Sequence, residues 1–145
     1  MPSGCCFTCH DADHLPWLDA EHDPRRRALH IFLCNSMLRA VLSGCRVFYV
    51  DANHALDAEA AVYATLLAKD VPHLRVVSLP PELDQTDEAG FCRFALSHCD
   101  TLIAAYHEEK IRSGRIARFA LECGMSVSHL DTLSMAAAHT GHSFI

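Results

Sequence analysis

The chain has 145 residues, of which 50% are apolar and 21% charged, and its formal net charge is −6 at pH 7. A single domain of this size buries roughly 70% of its unfolded surface, and the composition excludes fibrous, disordered and low-complexity classes. The acidic balance argues against broad nucleic-acid binding, which needs a basic surface.

No apolar run approaches the roughly 18–20 residues of a membrane span, and the first residues lack the apolar centre of a signal peptide. The expected place is therefore the cytoplasm, with no membrane partner. Eight cysteines in such a chain read as reduced thiols, five of them inside apolar segments where cysteine acts as a small hydrophobe. Eleven histidines make the net charge sensitive to pH between 6 and 7.

Residues 1–26 are polar, rich in Cys, His, Asp and Pro, and show no sustained period, which predicts an irregular arm preceding one α/β domain over residues 27–145. The apolar run Leu29 to Cys34 has strand length, and Asn35-Ser36 suits the cap of a short helix from Met37 to Leu42 that ends at Ser43-Gly44. Arg46 to Val50 is the next strand and runs into Asp51, Asn53 and His54. Ala55 to Lys69 is rich in Ala, Leu and Glu, strong helix formers, and Pro72 stops it.

Leu74 to Leu79 reads as a third strand, closed by Pro80-Pro81 and followed by an acidic loop from Glu82 to Asp87. A helix follows over Glu88 to His98, with Phe91, Phe94, Ala95 and Cys99 on one face. Thr101 to Tyr106 is the fourth strand. A helix beginning near Gly114, a fifth strand ending at Ser126 to His129, and a last helix over Thr132 to His139 complete the series. Such alternation predicts a three-layer α/β fold, Rossmann-like or flavodoxin-like, with a mostly parallel five-stranded sheet.

In open parallel sheets, ligands bind beyond the carboxyl ends of the strands. That rule selects Cys34, Asn35, Ser36, Asp51, Asn53, His54, Ser78, Tyr106, His107, Glu108, Glu109, Ser128 and His129, although strand ends are also polar simply because loops are wet. Ten Arg stand against two Lys, which favours planar recognition of phosphate or carboxylate over a diffuse positive field. Ser113 is placed to cap the following helix, Gly114 opens it, and Arg112, Arg115 and Arg118 surround its start. The segment suits a bound anion, or else a solvated basic stripe paired with Glu108, Glu109 and Glu122.

The run Cys99 to Tyr106, the turn Ser113-Gly114, the helix, and Ala120 to Val127 resemble the C-terminal half of nucleoside 2-deoxyribosyltransferase-like proteins. A vaguer match joins Leu29 to Ser36 to the first strand and loop of that family. The resemblance covers about a third of the chain. It implies a Rossmann-like fold and a nucleoside or nucleotide site. The glutamate nucleophile of that family would fall at Ile116, which cannot form a glycosyl intermediate. The resemblance therefore implies the fold and nucleotide binding more than it implies transfer.

Cys6, Cys9, His10 and His14 have the types and spacing of a tetrahedral zinc site, which would order the arm; the other reading is a loosely packed tail. GxGxxG, Walker A, GxSxG and HExxH patterns are absent from the sequence, so the enzyme classes they mark lose their usual support.

Two functions follow as expectations. The first is binding of a nucleotide, nucleoside or other phosphorylated small molecule at the strand carboxyl edge, extending to nucleoside processing by glycosyl transfer or hydrolysis. Asn35, Ser36, Tyr106, Ser113, Gly114 and Arg115 would then be binding residues, and Asp51 or Glu108 the acid or base. The second is a non-enzymatic regulatory or interaction domain with zinc, the one cofactor suggested, on the N-terminal arm. Either is compatible with a homo-oligomer.

Overall fold

The structure, a computed structural model, describes residues 3–9, 15–51, 54–80, 83, 88–108 and 110–140. Strand β1 is Gly4–Cys9, and a 3₁₀ turn at Pro16–Asp19 leads into helix α1, Pro24–Leu42. There follow β2 (Val47–Val50), α2 (Ala55–Asp70), β3 (Arg75–Ser78), α3 (Glu88–His98), β4 (Cys99–Tyr106), α4 (Arg112–Glu122), β5 (Ser126–Asp131) and β6 (Ala137–Thr140).

All six strands share one sheet in the order β3-β2-β1-β4-β5-β6. The first five are parallel and β6 runs antiparallel to β5. Helices α1 and α2 pack on one face, while α3 and α4 pack on the other. This is a Rossmann-like three-layer α/β fold. Among the described residues no helix is long and apolar enough to cross a membrane.

The main correction concerns the first forty residues. Residues 4–9 are not part of an irregular arm but form the central strand, buried at every position. It bonds to β2 on one side and β4 on the other. Cys5, Phe7 and Cys9 enter the core beneath α1 and α2, where the Phe7 ring stacks on Phe48 at 6.1 Å. Cys6 faces α3 and α4. This follows from the pleat, which sends alternate side chains to opposite faces.

The segment expected as a strand at Leu29 to Cys34 plus a short helix at Met37 to Leu42 is one helix, α1. Its buried residues, Leu29, Phe32, Leu33, Ser36, Met37, Ala40 and Val41, repeat at helical spacing along one stripe. Asp23 caps it by accepting from the Arg25 N–H at 2.8 Å, and Pro24 occupies the first turn, where its missing donor is harmless. The helix expected over Thr132 to His139 is replaced by a tight turn and β6. Asp131 holds that turn by accepting from the N–H groups of Leu133 at 2.9 Å and Ser134 at 3.2 Å.

Helices α1 and α4 end alike. Gly44 (φ +110°) and Gly124 (φ +84°) take the left-handed position after each helix. The N–H groups of Cys45 and Met125 reach back to the carbonyls of Ala40 and Ala120 at 2.9 Å, the pattern of a Schellman cap. Each cap turns the chain directly into the next strand.

Close packing around β1 is tested at Gly4. A Cβ there would collide with the carbonyl oxygen of His98 and the ring of Tyr49. Gly4→Ala should therefore lower stability by about 1–3 kcal/mol, the usual cost of overpacking. The urea midpoint of the variant measures it, and an unchanged midpoint would contradict this packing.

Candidate functional site

The strand order reverses between β1 and β4, because β1 leads leftward to β2 and β3 while β4 leads rightward to β5. In such sheets the crossover helices diverge at that point, and the space beyond the strand ends is the usual ligand position. Thr8 near the end of β1, Asp51 after β2, Asp57 in the first turn of α2, and Arg112 and Ser113 in the first turn of α4 converge on this edge.

The floor is polar yet almost wholly excluded from solvent: Thr8 is 0%, Asp57 1% and Ser113 2% exposed. The hydroxyls of Thr8 and Ser113 lie 2.9 Å apart and share a hydrogen bond. That bond ties the central strand to the start of α4. Gly114, next in the helix, is also buried.

Ile111 stands at the N-cap of α4 and supplies no side-chain hydrogen bond. Ser113 was expected at that cap; it lies two residues further in, with its hydroxyl turned to Thr8 instead. The helix start accordingly keeps the positive end of its dipole without an acidic side chain in its first turn.

Asp57 was not anticipated. One carboxylate oxygen, Oδ2, accepts the N–H of Asp51 at 2.7 Å and closes the β2–α2 turn. The other, Oδ1, is buried and makes no hydrogen bond among the described residues. Burial pushes its pKa up to about 8; the Asp51 N–H and the positive charge of Arg112 pull the other way, and the negative charge of Asp51 adds to the rise. Asp57 is thus largely a neutral acid at pH 7.

Asp51 sits at the rim, with His54 Nε2 3.7 Å from its carboxylate. The three arginines of α4 separate cleanly. Arg115, expected to hold an anion, forks onto Glu88 at 2.8–3.1 Å. Arg118 lies in solvent opposite Glu122 at 3.7 Å. Arg112 turns inward, its guanidinium 5.9 Å from the centre of the Phe91 ring and close enough to act on Asp57.

Other expected residues fall elsewhere. Asn35 is exposed in the middle of α1, and Ser36 is buried against the sheet from the same helix, so neither follows a strand. Tyr106 ends β4, buried, and stacks on His129 at 4.1 Å while its carbonyl accepts from His129 Nε2 at 2.9 Å. Glu108 is exposed in the loop before α4. Asn53, Glu109, His10 and His14 lie outside the described residues.

The zinc set loses its geometry. Cys6 and Cys9 point to opposite faces of the sheet, into different cores, and cannot share an ion. A hydrogen bond with the Cys99 side chain, and then burial, raise the pKa of Cys6 well above that of an ordinary thiol, which disfavours the thiolate a metal needs. Among the described residues no group of three metal-ligating side chains gathers.

Ile116, at the position of the resembled family's nucleophile, is 1% exposed and packed in the α3–α4 core. No protein-family model matches the chain, and no curated protein is detectably similar to it.

The raised pKa of Asp57 has a sign that can be measured. Between the ordinary carboxylate pKa of 3.8 and about 8, the folded state holds a proton that the unfolded state has released. Stability from this group therefore falls as pH rises through that window, with a limiting slope of about 1.4 kcal/mol per pH unit. Asp57→Asn keeps the shape without the charge. Urea unfolding of both proteins should show the variant gaining on wild type from pH 5 to pH 8 and then levelling; parallel curves would refute a neutral Asp57.

Proposed function

We propose that the chain binds a phosphorylated small molecule, a nucleotide or nucleoside phosphate, at the carboxyl edge between β1 and β4. The observation that carries this reading is the meeting, at the switch point, of an α4 start without a side-chain cap, the inward Arg112 and the orphaned oxygen of buried Asp57. A phosphoryl group matches the first two, because backbone N–H groups and a guanidinium both favour its charge.

Opposite charges flank the crevice. Asp51 at the end of β2 is an acceptor for sugar hydroxyls, while the phosphate belongs on the α4 side with Arg112. Such a division suits a ligand with a polyol end and an anionic end. The nucleoside 2-deoxyribosyltransferase-like resemblance points to the same ligand class. A buried Ile116 in place of that family's glutamate supports binding rather than glycosyl transfer.

Thermal denaturation with nucleoside monophosphates tests the reading. A ligand at 100 times its Kd adds about 2.7 kcal/mol and raises Tm. Arg112→Ala should weaken binding about tenfold or more, the worth of a charge-assisted hydrogen bond at ~1.5–3 kcal/mol. Arg115→Ala should leave binding intact, since its exposed pairing with Glu88 contributes ~0–1 kcal/mol to stability alone. Unchanged Tm with every nucleotide and nucleoside would refute the site.

A further inference from the structure

We propose that Asp57 is a protonated hydrogen-bond donor of this site, its orphaned Oδ1 presenting a proton to an oxygen of a phosphoryl group seated between the start of α4 and the end of β1. The inference rests on the binding site proposed above and assigns its recognition chemistry.

The geometry leaves the carboxyl few alternatives. Oδ2 is committed to the Asp51 N–H at 2.7 Å, which anchors the side chain to the β2–α2 turn. Oδ1 is buried without a partner among the described residues, and an unmatched polar atom in a buried place is costly enough to call for a role. The charged groups that act on it are Asp51 from the end of β2 and Arg112 from α4, and the Cys5 thiol of β1 lies on the same face of the sheet as α2. Burial opposes ionisation most strongly; the Asp51 N–H favours the charged form, the Asp51 carboxylate disfavours it, and Arg112 favours it.

A neutral carboxylic acid is a donor, whereas a carboxylate would repel a phosphoryl oxygen. A bond from O–H to an anionic oxygen is short and about twice as strong as one between neutral groups. Ligand binding and proton retention at Asp57 are then linked. An anion should raise the pKa of Asp57 further, and ionisation of Asp57 should weaken the anion's hold.

Sulfate is the probe, since it keeps its charge between pH 6 and pH 10 while phosphate does not. The full chain is followed by NMR, reading the Asp57 carboxyl carbon and the amides of Ser113 and Gly114. In the free protein the carboxyl should titrate near 8. With sulfate the midpoint should move upward, and affinity should fall about fivefold from pH 8 to pH 9 as the protonated fraction drops from one half to about a tenth. Asp57→Asn should bind sulfate with no such pH dependence.

Titration of Asp57 in the ordinary carboxylate range would overturn the assignment. So would sulfate that shifts the Ser113 and Gly114 amides while leaving the Asp57 midpoint unmoved, a result that keeps the anion site but removes this donor. If neither sulfate nor a nucleoside monophosphate moves those amides, the site itself is wrong and the donor falls with it.

Discussion

Everything in this molecule hangs on a six-residue strand held on both sides. Gly4–Cys9 pairs with β4 along its length and with β2 at Gly4 and Cys5, and the sheet extends from it toward β3 on one side and toward β6 on the other. A strand in that place has no solvent-facing side, so its residues must be apolar or small, or must find partners within the core. Cys5, Cys6, Phe7 and Cys9 meet the first requirement and Thr8 the last, through Ser113. The switch point exists because this strand is central.

The site inherits its character from that placement. Helix starts gather on one edge of a parallel sheet, so α2 and α4 deliver Asp57, Arg112 and Ser113 to the end of β1 without any long loop. The same burial that forms the core keeps Asp57 neutral and makes the Thr8–Ser113 bond the floor of the crevice. Charge is then sorted by element: carboxyls come from β2 and α2, and the inward guanidinium comes from α4. One turn of helix separates Arg112 from Arg115, enough to put the first over Phe91 and the second on Glu88 in solvent.

From Val47 onward the elements were legible in the sequence through β5, because helix formers, prolines and glycines punctuate apolar runs there. Gly44 and Gly124 were readable for a plain steric reason, the left-handed residue after a helix. The first forty residues were misread through two competitions. Cys6 and Cys9 at CxxC spacing suggested metal, although Gly4 to Cys9 is also a strand-length apolar run once cysteine is counted as a hydrophobe. Leu29 to Cys34 passed for a strand because α1 turns two adjacent apolar residues inward at every turn; Asp23-Pro24 and the spacing of Leu29, Phe32, Leu33, Met37, Ala40 and Val41 carry the helix signal.

The site was half legible. Asp51 was found by the strand-end rule, Ser113 and Gly114 as the expected start of a capped helix, and Arg112 as a neighbour of that turn. Thr8 was lost with β1. Asp57 was lost because an acid in the first turn of a helix is ordinarily a solvated dipole partner, and only the fold shows this one buried beneath the crevice.

Backbone amide hydrogen exchange of Cys5 to Cys9 tests the central placement most directly. Amides of a fully buried strand at the centre of the sheet, paired with β4 along its length, open only with the whole domain, so they should be among the slowest in the chain and exchange at the global unfolding free energy. Exchange of these amides at the rate of a frayed terminus would contradict the placement of β1, and with it the switch point on which the site depends.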